Sequence, residues 1–115
     1  MDMGPSLAAA LNRAGARVPP GGGVLVVEVF RGEPAHRVGI RGAQRVVRLG
    51  NLRVPLGGDF ILSINGEPIE DMRSLTVLLE TRTRVGERAM LSYWRDGQVI
   101  DVQVVLGERR PLRRR

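Results

Sequence analysis

Gly23-Val-Leu-Val-Val-Glu-Val-Phe-Arg-Gly-Glu-Pro-Ala-His-Arg-Val-Gly-Ile40 is the stretch on which the fold of this 115-residue chain turns. Val24–Phe30 places four valines in seven positions, which predicts a strand. Its near-continuous apolarity predicts burial on both faces. Arg31-Gly32-Glu33-Pro34 turns the chain. Pro34 then suits the first position of one helical turn over Ala35–Val38, closed by Gly39.

Downstream, Gln44–Leu49 and Leu52–Leu56 flank Gly50-Asn51, a pair suited to a tight hairpin. Pro55 restricts the second stretch to an edge strand or a loop. After Gly57-Gly58, Asp59–Ile64 reads as a strand that ends at Asn65-Gly66, a strong hairpin-turn signal. Asp71 is placed to cap a helix over residues 72–82, with Met72, Leu75, Leu78 and Leu79 on one face. Arg88–Trp94 and Gln98–Leu106 are strands joined at Asp96-Gly97. In the last of them Ile100, Val102, Val104 and Leu106 alternate with Asp101 and Gln103, so one face is covered and the other wet.

Upstream, Pro5-Ser6-Leu7-Ala8-Ala9-Ala10-Leu11 opens a short helix over residues 5–14. Pro19 to Gly23 interrupts regular structure. The expected fold is α+β: a partly open antiparallel β-barrel of five to six short strands, with one long and one or two short helices. The expected organisation is an N-terminal helix and Pro/Gly linker over residues 1–22, a domain over 23–107, and a disordered Arg-rich tail over 108–115.

The net charge of +6 suggests nucleic acid until its location is considered. Arg109, Arg110, Arg113, Arg114 and Arg115 supply five of those charges, leaving +1 on residues 1–108. A basic face should persist when a tail is ignored, and this one does not. The tail has Pro111 and no aromatic residue, which fits a solvated end better than a nucleic-acid or membrane arm. There is no cysteine, so neither disulfides nor thiolate ligands contribute. Met1–Ala10 has no basic residue and no long apolar run, so no signal peptide is expected within it.

Three elements together resemble the PDZ domain of HtrA/Deg-like, trypsin-like serine proteases. Gly23 to Ile40 resembles the valine strand and Gly-x-Pro-Ala turn of bacterial PDZ domains. Asp59-Phe-Ile-Leu-Ser-Ile-Asn-Gly-Glu-Pro-Ile69 resembles the next element, and Gly86 to Leu106, with Arg95-Asp96-Gly97, the closing hairpin. The insert Arg45–Gly58 resembles one found in a subset of HtrA-like proteases. This resemblance implies a peptide-binding module that takes extended apolar C-terminal or unfolded segments and regulates or feeds a tethered protease domain. It implies a periplasmic or extracytoplasmic setting, no cofactor, no metal and no catalysis by this chain.

The resemblance also implies a groove in which the helix at 72–82 forms one wall. Leu75 and Leu79 would take a peptide's last apolar side chain over a floor at Ile64; the structural alternative is that all three are core. Gly21, Gly22 and Gly23 offer a nest of backbone N–H groups for a carboxylate, or simply a flexible link. In the HtrA arrangement the carboxylate-binding loop opens a strand ahead of the helix at 5–14. Met1-Asp2-Met3-Gly4-Pro5 carries no such motif. A missing groove strand would leave an open sheet edge able to pair with another copy, which is the alternative function: a structural or oligomerisation domain.

His36, the one histidine, lies in the Pro34 turn and reads as a surface residue; no serine sits in a nucleophile context. Glu67, Glu70 and Asp71 read as turn solvation and capping sooner than as a metal site. Of Tyr93 and Trp94 only one can face the core, leaving the other to meet a peptide or another domain.

Overall fold

A computed structural model describes residues 1–106; the segment expected to be an Arg-rich tail lies outside the described residues. In chain order the elements are β1 (Asp2–Met3), α1 (Pro5–Arg13), β2 (Gly23–Leu25), α2 (Pro34–Arg37), β3 (Arg45–Leu49), β4 (Leu52–Leu56), β5 (Phe60–Ile64), β6 (Glu67–Pro68), α3 (Met72–Thr81), β7 (Arg88–Arg95) and β8 (Gln98–Val105). The main sheet runs β1-β2-β5-β7-β8, with β6 added to β5. All its pairings are antiparallel. The α+β class is as expected, but the sheet is open and does not close into a barrel. The strand count exceeds five to six because two-residue pieces, β1 and β6, also pair.

Turn chemistry sets the register. Asn65 and Gly66 have φ of 53° and 82°, and Asp96 and Gly97 have 51° and 84°. Positive φ at both central positions is the two-residue hairpin conformation whose twist matches the strands it joins. Across Asp96-Gly97 the ladder is unbroken from Arg95↔Gln98 to Arg88↔Val105.

The sheet carries a core on each face. Val24, Ile61 and Tyr93 are register neighbours across β2, β5 and β7, and so are Leu25, Phe60 and Trp94. Successive side chains of a strand point to opposite faces. The first row therefore joins the larger cluster with Ile64, Leu78, Leu91 and Val104. The second row joins Met3, Ala8, Leu11, Val18, Val54 and Leu56. Thus α1 and the β3–β4 hairpin, itself a separate two-stranded sheet, cover the second face. Residues 1–22 contribute β1, α1 and Val18 to this packing. Pro55 is tolerated because each strand of a two-stranded sheet is an edge.

The expected strand Val24–Phe30 is shorter in the structure: β2 stops at Leu25. Val24 and Leu25 are buried on opposite faces, whereas Val27 and Phe30 are exposed. Beyond Leu25 the chain bonds to loops. Val26 N–H donates to the Asp59 carbonyl at 2.8 Å, and the Val27 carbonyl accepts from Ala43 N–H at 2.9 Å. Gly58 permits this approach, since a Cβ there would lie 2.2 Å from the Val26 oxygen. The sheet edge expected to lack a strand ahead of α1 is occupied instead. Asp2 and Met3 pair with Val24 and Gly23. Such a short pairing carries no periodicity from which it could be read.

One buried ion pair ties three loops together. Asp59, 1% exposed, accepts from Arg95 Nε at 2.8 Å, Arg95 Nη2 at 2.7 Å and Arg41 N–H at 2.8 Å. Arg95 Nη2 also donates to the Gly39 carbonyl at 2.7 Å. These bonds to Asp59 push the Arg95 pKa further up and keep the guanidinium charged. Asp59→Ala strands this arginine against the loop, and breaking one side of a buried pair costs about 3–5 kcal/mol. Urea unfolding should show a midpoint lowered by that free energy divided by the m-value, with the m-value unchanged. A loss below about 1 kcal/mol would mean that the pair is not a structural anchor.

Candidate functional site

α3 begins with a reciprocal cap. Asp71 Oδ1 accepts from Ser74 N–H at 2.7 Å, and Ser74 Oγ accepts from Asp71 N–H at 3.2 Å. This satisfies two of the donors that a helix start leaves unpaired. A second tie comes from β1: Asp2 Oδ1 accepts from Met72 N–H at 2.7 Å. This bond ties β1 to the start of α3. Sequence reasoning missed Asp2, because nothing local marks a side chain that bonds a backbone group 70 residues away.

With its start fixed, α3 turns Leu78 into the core and leaves Leu75 half-buried and Leu79 36% exposed. Leu75 and Leu79 line a cavity of about 560 Å³, floored by Ile61, Ile64 and Leu91 of the sheet. Pro34 and Ala35 of α2 also line it. Its lining is mostly apolar, with Thr76, Glu80 and Arg84 among the polar residues. The structure therefore brings Ile64, Leu75 and Leu79 to one cavity.

Ile64 reaches it through a bulge. The β5–β7 register shifts between Ile61 and Ser63, leaving Leu62 unpaired. Strict alternation would put Ile61 and Ile64 on opposite faces. The extra residue puts both on the cavity side, opposite Tyr93 and Leu91. The residue run Phe60–Ile64 gives no sign of this shift.

Gly22 and Gly23 are not among the cavity residues. Gly22 N–H donates to the Pro19 carbonyl at 2.9 Å, and Gly23 is a ladder partner of Met3. A Cβ on Gly22, whose φ is +80°, would lie 2.1 Å from the Met3 oxygen. These glycines serve the close approach of β1 to β2 and lie apart from the apolar cavity.

The other sequence candidates have structural partners. His36 is exposed, and its Nδ1 accepts from Gly32 N–H at 3.2 Å. Glu67 pairs with Arg82. Tyr93 is buried with Arg95 over its ring at 5.2 Å. Trp94, on the opposite face from Tyr93, packs on the second core and donates from Nε1 to the Arg17 carbonyl at 2.9 Å, so each of the pair has a structural partner. No helix among the described residues is long and apolar enough to cross a membrane.

Comparison with known proteins gives three findings. The family model of the PDZ domain matches residues 2–106. A probable periplasmic serine endoprotease, DegP-like, from Rhizobium meliloti (strain 1021) is 31% identical over 85 residues. That match covers 74% of this chain and 14% of the relative, so the chain spans about one-seventh of that protein. A solution structure from Geobacillus thermodenitrificans is 25% identical, covers 74% of this chain and 78% of its own, and superposes with a TM-score of 0.48.

The α3 cap gives a pH signature. Hydrogen bonds from the Ser74 backbone and hydroxyl hold the Asp71 carboxyl below its ordinary value of 3.8. A depressed carboxylate stabilises the fold above its unfolded pKa and loses that contribution as pH falls through the folded one. Amide protection in the first turn of α3 should therefore drop as pH falls below about 4. Asp71→Asn keeps an acceptor and should flatten that dependence. An equal drop in the Asn variant would place the titrating group elsewhere.

Proposed function

The chain belongs to the PDZ domain family of protein-interaction modules, and from that premise we propose that it captures extended segments ending in an apolar side chain. The segment would lie along the space between β1 and α3, its backbone bonding the sheet edge and its last side chain filling the cavity at Ile64, Leu75 and Leu79. Such β-augmentation draws affinity from main-chain bonds and specificity from alternate side-chain pockets. The observation that carries this reading is the mostly apolar 560 Å³ cavity beside a helix whose leucines are only partly covered. Burying one Leu- or Val-sized side chain there contributes about 1.5–3 kcal/mol.

The partners proposed are peptide or protein C-termini. The likeness to a DegP-like endoprotease supports placing the module beside a serine protease domain, to which it would deliver or restrict substrate. The cavity lining contains no nucleophile–histidine pair, and its chemistry is that of binding.

A second reading has its own observation. β8 is the far end of the sheet, and Val99 and Val105 on it are 60% and 56% exposed. An edge of eight residues can pair with a second copy. Sedimentation across a concentration series separates the two: a dimer that peptide does not disturb favours pairing at β8.

The peptide reading is tested by titrating a short apolar peptide, with a free and with an amidated C-terminus, while following amide resonances. Shifts should centre on Ile64 and α3. Leu79→Gln should weaken binding by about tenfold, the worth of one buried aliphatic side chain, with little change in thermal midpoint because Leu79 is already part-exposed. Equal affinity in that variant would exclude the cavity as the binding site.

A further inference from the structure

A second cavity, of about 280 Å³, lies over the other face of the sheet, among the 15–18 loop, the start of β3 and the turn after β7. It differs in kind from the first. Arg17, Arg41, Arg45 and Arg95 line it, against Asp59 and Asp96, a balance of +2. Asp59 is already committed to Arg95. Among the described residues, no carboxylate lies within 4.0 Å of the charged nitrogens of Arg17, Arg41 or Arg45.

The backbones that carry these three arginines are held in place. The Arg17 carbonyl is fixed by the Trp94 indole, and the adjoining Val18 exchanges bonds of 2.9 and 3.0 Å with the Asn12 side chain. Arg41 N–H is bound by Asp59 at 2.8 Å. Arg45 begins β3, opposite Leu56. All three side chains are solvent-exposed, so water screens their mutual repulsion in part, and an anion in the hollow offsets the rest. Holding their backbones in advance lowers the ordering cost of binding one.

We propose that this hollow is a binding site for a phosphate monoester dianion. Guanidinium groups present planar forks of donors that match oxyanions in pairs. A phosphate monoester offers three strong acceptor oxygens and close to two negative charges at neutral pH, enough to engage three arginines and neutralise the balance of +2. A monocarboxylate has one charge and two oxygens, and falls short on both counts. The hollow also exceeds the volume of a bare phosphate, leaving room for the group esterified to it. This site lies on the opposite face of the sheet from the apolar cavity and does not depend on the peptide reading.

Trp94 is the only tryptophan, and its indole N–H is bonded at the rim of the hollow, so it reports locally. The full chain is titrated at constant ionic strength with inorganic phosphate, methyl phosphate and a short phosphoserine peptide, following Trp94 fluorescence and its indole resonance. A saturable change with phosphates and none with chloride or acetate is expected. Binding should weaken as pH falls below about 6, where the dianion takes up a proton. The pair Arg17→Gln and Arg45→Gln should weaken it about tenfold. Arg48→Gln with Arg53→Gln, on the same hairpin but outside the hollow, should leave it unchanged. Tighter binding of the phosphopeptide than of methyl phosphate would assign the phosphate to a modified side chain; equal binding would assign it to a small phosphorylated molecule. No saturable change with any phosphate overturns the proposal. So does unchanged affinity in the Arg17/Arg45 pair when its amide spectrum shows it folded.

Discussion

The contact between Asp59 and Arg95 is the constraint on which the arrangement of this domain depends. It is formed where the β3–β4 insert returns to the sheet, and it joins that return to the end of β7 and to the loop after α2. A carboxylate with 1% exposure is costly to bury unless its oxygens are satisfied. Two guanidinium bonds and one backbone N–H satisfy it. With this junction fixed, β5 must start at Phe60 in register with Trp94 and Leu25, and both faces of the sheet inherit their rows from that register.

Much of this was legible in the residues. The Asn65-Gly66 and Asp96-Gly97 turns, the Gly50-Asn51 hairpin and the Asp71 cap all read correctly, because each depends on the conformational preferences of two or three neighbouring residues. Burial on both faces was correct for Val24 and Leu25. It failed for Val27 and Phe30, where the pattern continues but the ladder does not. That end is set by Gly42 and Gly58 coming up against the Val26 and Val27 carbonyls, a contact between distant segments. Local preference carries no information about such contacts.

The candidate site was legible in the same partial way. Helical spacing put Leu75 and Leu79 together, and the family resemblance supplied Ile64 as their floor. The reason Ile64 faces them is the bulge at Leu62, which the sequence does not mark. What local reading of Gly22 and Gly23 could not supply is their packing, because the approach of Met3 to Gly22 joins segments distant in sequence. Three arginines scattered over positions 17, 41 and 45 formed no motif and became a cluster only when three loops converged.

The two-faced sheet has a consequence for communication between its sides. The apolar cavity rests on Ile61 and the arginine-lined one on Phe60, neighbours along a single strand whose side chains point in opposite directions. A molecule bound on one side can influence the other by changing the shape of that shared backbone. Linkage then makes any such influence equal in both directions. The bulge at Leu62 is where β5 has a spare residue to absorb a shift. A rigid β5 closes this route between the two faces, and a β5 that moves its bulge opens it.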